Sequence, residues 1–282
     1  MQPLVLSVNS YVVHGYVGNK CTVFTLEFNG IEVSPLNLIQ LSNHRGYPVS
    51  KGSSLTHKEL HDIFEDLDRN GTTEKLTHII TGYLTEEYEF KEIEHFLKKN
   101  PRICYYNGPK LGDVNGFYIP NDVLNYQKEL IKYTDTLLLN SFEAEKISGM
   151  EIKDKNDVLD IVKRFHDIGI NNIVIKNVIE DKFAFFSFKK GGKQFAIEIK
   201  DIDRSFTGES DIFDGLFLAN SIKYPNKFEK IALNTINAIY NIVQKTKNLN
   251  LDEIVLPYSV DEILNITNKH TIIDLNDFLQ ID

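Results

Sequence analysis

Strand-like and helix-like segments alternate along most of this chain, and that rhythm constrains the fold more than any other feature. Short apolar, β-branched runs at Pro3–Val8, Ile31–Leu41, Leu76–Thr81, Arg102–Tyr106, Thr136–Leu139 and Asn172–Lys176 read as strands. Between them lie segments of helical spacing, several with recognisable ends. Cys21–Asn29 stops at Gly30, Phe142–Ser148 at Gly149 and Lys155–Ile168 at Gly169. Thr56 with Glu59 forms a capping-box pattern opening a helix to about Leu67. Thr85 opens another to about Lys99, with Glu86, Glu87 and Glu89 favourable to the helix dipole. Asp122–Lys132 is a further helix. Repeated units of this kind predict an α/β fold of three layers, a mostly parallel central sheet with helices on both faces.

The second half keeps the rhythm and then breaks it. Lys182–Phe188 and Gln194–Lys200 flank a Gly-Gly pair and read as a hairpin. Two helices follow, Ser210–Ile222 and Lys227–Lys247, and then a tail from about residue 248, read as irregular apart from a short helix at Val260–Leu264. No repeat or linker divides the chain, so residues 1–282 are expected to form one domain.

Composition narrows the function classes. With Lys+Arg 31 against Asp+Glu 40, the net charge of −9 argues against nucleic acid as a partner. No apolar run reaches ~18 residues, so no membrane span is expected. Leu4–Val8 is too short for a signal-peptide core and has no basic leader, which points to the cytoplasm. Cys21 and Cys104 lack companions at metal-ligand spacing and read as two buried thiols.

In open parallel sheets, ligands bind beyond the carboxyl ends of the strands. Residues following the strands are therefore the candidates for chemistry. Ser10 to Asn19 includes Gly15 and Gly18, which let backbone approach a ligand, but it is neither a dinucleotide fingerprint nor a Walker A loop. Ser42-Asn43-His44-Arg45-Gly46-Tyr47 suits recognition of a small polar ring, and Thr81-Gly82-Tyr83 can add an aromatic wall. Asp113 and Glu143 come from strand ends where a hydrated Mg²⁺ can bridge carboxylates to phosphates; a helix-dipole role explains Glu143 equally well. Gly208-Glu209-Ser210-Asp211 opens an apolar helix, whose N-terminus can hold a phosphoryl group while Asp211 deprotonates a hydroxyl.

Taken in order, these segments resemble the pyridoxal kinases of the ribokinase-like superfamily, from the first strand to roughly Lys247. Ser7-Val8-Asn9-Ser10 with Gly15-Tyr16-Val17-Gly18-Asn19 looks like the family's opening substrate loop. Ser42 to Tyr47 is similar to S-N-H-T-G-Y, Thr81-Gly82-Tyr83 to T-G-Y, Leu111-Gly112-Asp113 to the end of D-P-V-L-G-D, and Asn140-Ser141-Phe142-Glu143 to N-x-x-E. The resemblance implies ATP-dependent phosphorylation of the 5′-hydroxymethyl group of pyridoxal and related B6 vitamers. It implies that Ser10 contacts the pyridine ring and that Val17, His44 and Tyr83 shape its pocket. Asp211 is the implied general base. Asp113 and Glu143 are implied to organise Mg²⁺, while Asp113, Tyr118, Asn140, Lys176, Gly208 and Ser210 face ATP. A homodimer is also implied.

The departures cluster on the phosphate side. G-T-G-D stands here as Gly208-Glu209-Ser210-Asp211, and Lys176 stands where a Thr would face ATP. Arg45 replaces a substrate-loop Thr. Gly108 replaces the first Asp of D-P-V-L-G-D and Leu138 replaces a Thr; both count against a monovalent-cation site. An inward Glu209 would repel a phosphate, so Glu209 is expected either to pair with Lys176 or to turn to solvent, the alternative being that the two are unrelated surface residues. The alternative reading is a catalytically impaired homologue that binds ligand or regulates.

Overall fold

The computed structural model describes residues 2–120, 122–189, 192–200 and 205–281. Strand β1 (Leu4–Val12), helix α1 (Asn19–Phe28), β2 (Glu32–Leu41), β3 (Gly52–Ser54), α2 (His57–Arg69), α3 (Thr72–Lys75), β4 (His78–Thr81), α4 (Glu87–Lys99) and β5 (Cys104–Asn107) make the first half. A small hairpin, β6 (Gly112–Asp113) and β7 (Gly116–Phe117), leads to α5 (Val123–Leu130) and a 3-10 turn. Then come β8 (Thr136–Asn140), α6 (Ser141–Ser148), α7 (Lys155–Asp167), β9 (Asn172–Val178), β10 (Phe183–Phe188) and β11 (Lys193–Glu198). The chain ends with α8 (Glu209–Lys223), α9 (Phe228–Asn248), α10 (Val260–Leu264), β12 (Ile272–Asp274) and α11 (Leu275–Gln280).

Among the described residues, ten strands form one sheet in the order β12-β11-β10-β9-β8-β5-β4-β1-β2-β3. The run from β9 to β2 is parallel, and antiparallel strands finish both ends. The side-chain period of two explains the three layers. In β1, Leu4, Leu6 and Val8 enter one core while Val5 enters the other. In β8, Leu137 and Leu139 face the first core and Leu138 the second. Both faces of the central strands are therefore buried, as parallel sheets require.

Local signals account for most element boundaries. Thr56 caps α2 in the expected capping box, and Asn140 caps α6 in a second one with Glu143. Helix α4 begins one residue later than expected because Glu86, not Thr85, takes the cap position. Strand β1 runs on to Val12 rather than stopping at Val8: a register shift at Asn9/Ser10 lets its end go on pairing with Ile39–Leu41 of β2. The expected hairpin is β10–β11, although Lys190 and Gly191 at its tip lie outside the described residues.

The tail read as irregular is ordered instead. Helix α10 forms where expected, but β12 also pairs antiparallel with β11, and α11 buries Phe278 against Phe183 and Phe185. The physical reason is an otherwise open sheet edge, which needs covering. Cys21 is buried as expected, whereas Cys104 is exposed because it starts β5 at the end of the sheet away from the strand carboxyl termini. No described helix is long and apolar enough to cross a membrane.

Candidate active site

The parallel strands present Asn9, Thr81, Asn107, Asn140 and Lys176 at one end of the sheet, in adjacent register. Strand order reverses around β1, with β2 to one side and β4 to the other, which is where open α/β sheets place a crevice. Helix α8 starts above this crevice.

That start depends on Gly208, which has φ of +97° and whose Cβ, if present, would lie 2.1 Å from the Tyr16 carbonyl oxygen. A side chain is excluded twice, by conformation and by space. Asp211 follows in the first turn and is buried. Its Oδ2 accepts a hydrogen bond of 2.8 Å from the Gly18 N–H, and its Oδ1 one of 3.3 Å from Asn9 Nδ2. Asn9 Oδ1 in turn accepts from the Ser10 and Tyr83 N–H groups at 2.8 and 2.9 Å. One amide thus ties β1, the turn after β4 and the carboxylate of α8 together. Gly18, at φ +56°, approaches Ser10 too closely for any Cβ, which explains the second glycine of the first loop.

On one side of Asp211 the walls are apolar and aromatic. Val17 and Tyr83 pack against Val12, Ile39 and Leu41 beside the buried Ser10. The Tyr83 hydroxyl is buried without a hydrogen-bond partner among the described residues, an arrangement that favours an incoming polar group. The Arg45 guanidinium lies 5.9 Å from the Tyr83 ring centre. His44 Nδ1 accepts from the Gly46 N–H at 3.1 Å, so Nε2 carries the proton that meets Glu253 Oε1 at 3.0 Å. Burial pushes the Glu253 carboxyl up, but bonds from Tyr47 and His44 outweigh it and hold the group below its ordinary value. Glu253 belongs to the tail, which therefore closes on the His44 loop.

On the other side the site is charged and buried. Lys176 Nζ donates to Ser210 Oγ at 2.8 Å and to Asp214 Oδ1 at 3.3 Å. Lys110 Nζ donates to the same Ser210 Oγ at 2.9 Å and bonds Asp214 Oδ2. Burial lowers the Lys176 ammonium pKa; Asp214 opposes that and nearby Lys110 adds to it, leaving the group below its ordinary value. Burial opposes the Lys110 charge too, yet Asp214, Asp211 and Glu143 outweigh it and raise this group. Glu143 is buried, with Oε1 accepting from the Leu111 N–H at 3.1 Å and Oε2 from the Asn140 N–H at 2.9 Å. Burial raises its carboxyl to about 7, opposed by Lys110 and Lys176. Asn140 Nδ2 donates to the Gly112 carbonyl at 2.9 Å, tying α6 to the loop that carries Asp113. The half-exposed Tyr118 bonds Asp113 through its hydroxyl.

Glu209 departs from both expectations for it. Its carboxylate turns back to accept from the Phe206 N–H, and burial raises it to about 7. It neither pairs with Lys176 nor faces open solvent, because its carboxylate takes the Phe206 N–H just before the helix instead. Lys176 pairs with Asp214 instead. Asn9, Lys110, Asp214 and Glu253 were not singled out as site residues from the sequence. The signal for Asn9 was present in the quoted Ser7–Ser10 motif, and the signal for Asp214 was a charge within the apolar run Ile212–Leu218 of a buried helix; Lys110 sits in a Gly/Pro loop without such a mark.

A buried carboxylate at a glycine-capped helix start, between an aromatic crevice and paired ammonium groups on a parallel sheet, defines a small-molecule kinase of ribokinase-like fold. No protein-family model matches the chain. Comparison with known proteins gives pyridoxal kinases: that of Dictyostelium discoideum is 35% identical over 273 residues, covering 88% of each chain. That of Arabidopsis thaliana is 33% identical over 86% of this chain and 82% of its own. Among solved structures, the pyridoxal kinase from Entamoeba histolytica superposes with a TM-score of 0.90 at 26% identity, covering 98% of this chain and all of that one. The chain belongs to the pyridoxal kinase family.

Proposed function

We propose that this protein transfers the γ-phosphoryl group of ATP to the 5′-hydroxymethyl group of pyridoxal and related B6 vitamers. The observation that carries the reading is Asp211, a buried carboxylate aimed by Gly18 and Asn9 from the start of α8. It is supported by relatives named pyridoxal kinase and by an Entamoeba histolytica pyridoxal kinase structure with PLP, 27% identical and with a TM-score of 0.89.

The ring of the vitamer occupies the crevice of Ser10, Val17, His44 and Tyr83, where the orphan Tyr83 hydroxyl gains a partner. Asp211 accepts the proton of the 5′-hydroxyl as that oxygen attacks phosphorus. The two donors on its carboxylate hold it in place, so little reorganisation accompanies proton transfer. Gly208 and Ser210 at the helix start, with Lys176, Asn140 and Tyr118, meet the nucleotide phosphates. Mg²⁺ suits a site of two carboxylates completed by phosphate and water, and Asp113 and Glu143 offer those carboxylates; no larger cluster of ligating side chains occurs among the described residues. The ion would neutralise charge on the transferring phosphoryl group. Neither Glu209 nor Ser210 obstructs the helix start: one side chain folds back and the other accepts both lysines. The impaired alternative gains no support from this geometry. The protein is expected to work in the cytoplasm and as a homodimer; sedimentation of the purified protein tests the dimer.

Incubation with pyridoxal, ATP and Mg²⁺, followed chromatographically, should show pyridoxal 5′-phosphate formed in step with ADP. No product across pH 6–9 with any B6 vitamer, but turnover of a hydroxymethylpyrimidine, would move the substrate to another ring. No turnover of either would overturn the kinase reading.

A further inference from the structure

The resemblance brings with it a monovalent-cation requirement, and the residues present do not fit one. At position 108 the chain has glycine, and a Cβ there would lie 2.1 Å from Asp214 Oδ2 and 3.3 Å from Lys110 Nζ. The space that a carboxylate at 108 would enter is filled by the Asp214–Lys110 ion pair. Leu138, on the neighbouring strand, is fully buried in the core on its own side and offers no side-chain oxygen. Three residues form a set. Gly108 vacates the volume, Lys110 fills it with an ammonium group, and Asp214, one turn after Asp211, anchors that group. The side chains of Lys110 and Asp214 are 12% and 4% exposed, so the pair is built into the site rather than laid over it.

We propose that the Lys110 ammonium, tethered by Asp214, is the resident cation of the phosphate side, so that nucleotide binding and turnover need no added monovalent cation. A buried ion pair with a single carboxylate is a poor stabilising device, because desolvation of both charges offsets their attraction. Here each ammonium group spends two of its three N–H donors, on Ser210 and Asp214, so each keeps a donor for an arriving anion. Ser210, which both lysines touch, stands at the helix start where phosphate is received, so those donors are placed where the charge arrives. Lys176 also lies 4.9 Å from the Phe213 ring centre, which fixes its position. Lys110 is thus a phosphate-contacting residue, and Asp214 is the residue that positions it.

The inference rests on the kinase reading, but its test does not need turnover. ADP binding to the full chain is measured calorimetrically in K⁺ and in tetramethylammonium buffers of equal ionic strength. Wild-type affinity should agree between the two within about two-fold. Lys110→Ala should bind ADP at least ten-fold more weakly in tetramethylammonium and regain part of that loss in K⁺ or ethylammonium, small cations able to enter the vacated space. Asp214→Asn, which keeps the shape if the alanine variant fails to fold, should weaken ADP binding without creating a K⁺ dependence. Wild-type ADP binding that requires K⁺, or unchanged ADP affinity in a folded Lys110→Ala protein, would overturn the proposal. Loss of pyridoxal turnover with cation-independent ADP binding intact would instead count against the substrate reading alone.

Discussion

The two sides of Asp211 are built on different physics. On the ring side, position is set mainly by hydrogen bonds to backbone: Asn9 clamps the Ser10 and Tyr83 amides, and His44 stands between the Gly46 N–H and the Glu253 carboxylate. On the phosphate side, position is set by buried charge, with Lys110 and Lys176 on Asp214 and Glu143 close by. Hydrogen bonds to backbone tolerate little variation in the residues that make them. A charge cluster can be rebuilt wholesale if each charge keeps a partner. The departures from the family pattern fall mainly in the second region.

The largest effect is expected where the two regions meet. Asp211→Asn keeps the shape but can accept only one of the two hydrogen bonds from Gly18 and Asn9 and cannot accept a proton, so kcat should fall ~10²–10⁴-fold. Pyridoxal and ADP affinities, measured by calorimetry, should change little; equal turnover in variant and wild type would remove Asp211 from the chemistry. A distant control comes next. Phe278 is fully buried by α11 against Phe183 and Phe185, and Phe278→Ala should cost about 3–5 kcal/mol of stability in urea unfolding while leaving both ligand affinities of the folded protein alone. A loss of ligand affinity instead would mean that the tail edge is coupled to the site.

Glu253→Ala acts on the ring side only. Losing a hydrogen bond worth about 1 kcal/mol should raise KM for pyridoxal several-fold and leave KM for ATP unchanged. A matching rise for ATP would erase the distinction between the regions. The smallest effect concerns pH. Burial raises the Glu209 carboxyl to about 7, above the ordinary 4.5. Its contribution to stability is therefore full below about 4.5, where both states are protonated, and is lost as pH rises through about 7. Glu209→Gln removes this ionisation, so its Tm should fall less than that of the wild type between pH 5 and 8. Parallel Tm profiles would show that the carboxylate is solvated after all.

The sheet, its helices and most of their ends were legible in the sequence because they rest on local signals: period-two strands such as Leu137–Leu139, and caps such as Thr56 and Asn140. What escaped was non-local. The continuation of β1 past Asn9 depends on a register shift against β2, and β12 exists because β11 leaves an edge to cover. The same divide runs through the site. Asp211, Ser10 and Tyr83 stand at strand ends and a helix start that the sequence marks. The partnership of Lys110 with Asp214 spans 104 residues and has no local signature, so Glu209 was offered a lysine that Asp214 already holds.

The separation of the two sides can be measured directly in one variant. Lys110→Met removes the ammonium group but keeps the length of the side chain, and calorimetry then compares the affinities of the folded protein for pyridoxal and for a non-hydrolysable ATP analogue. A ten-fold or greater loss for the nucleotide, with pyridoxal within two-fold of wild type, is the predicted result. Equal losses for both ligands, or none for the nucleotide, would contradict a charge-built phosphate side standing apart from a hydrogen-bonded ring side.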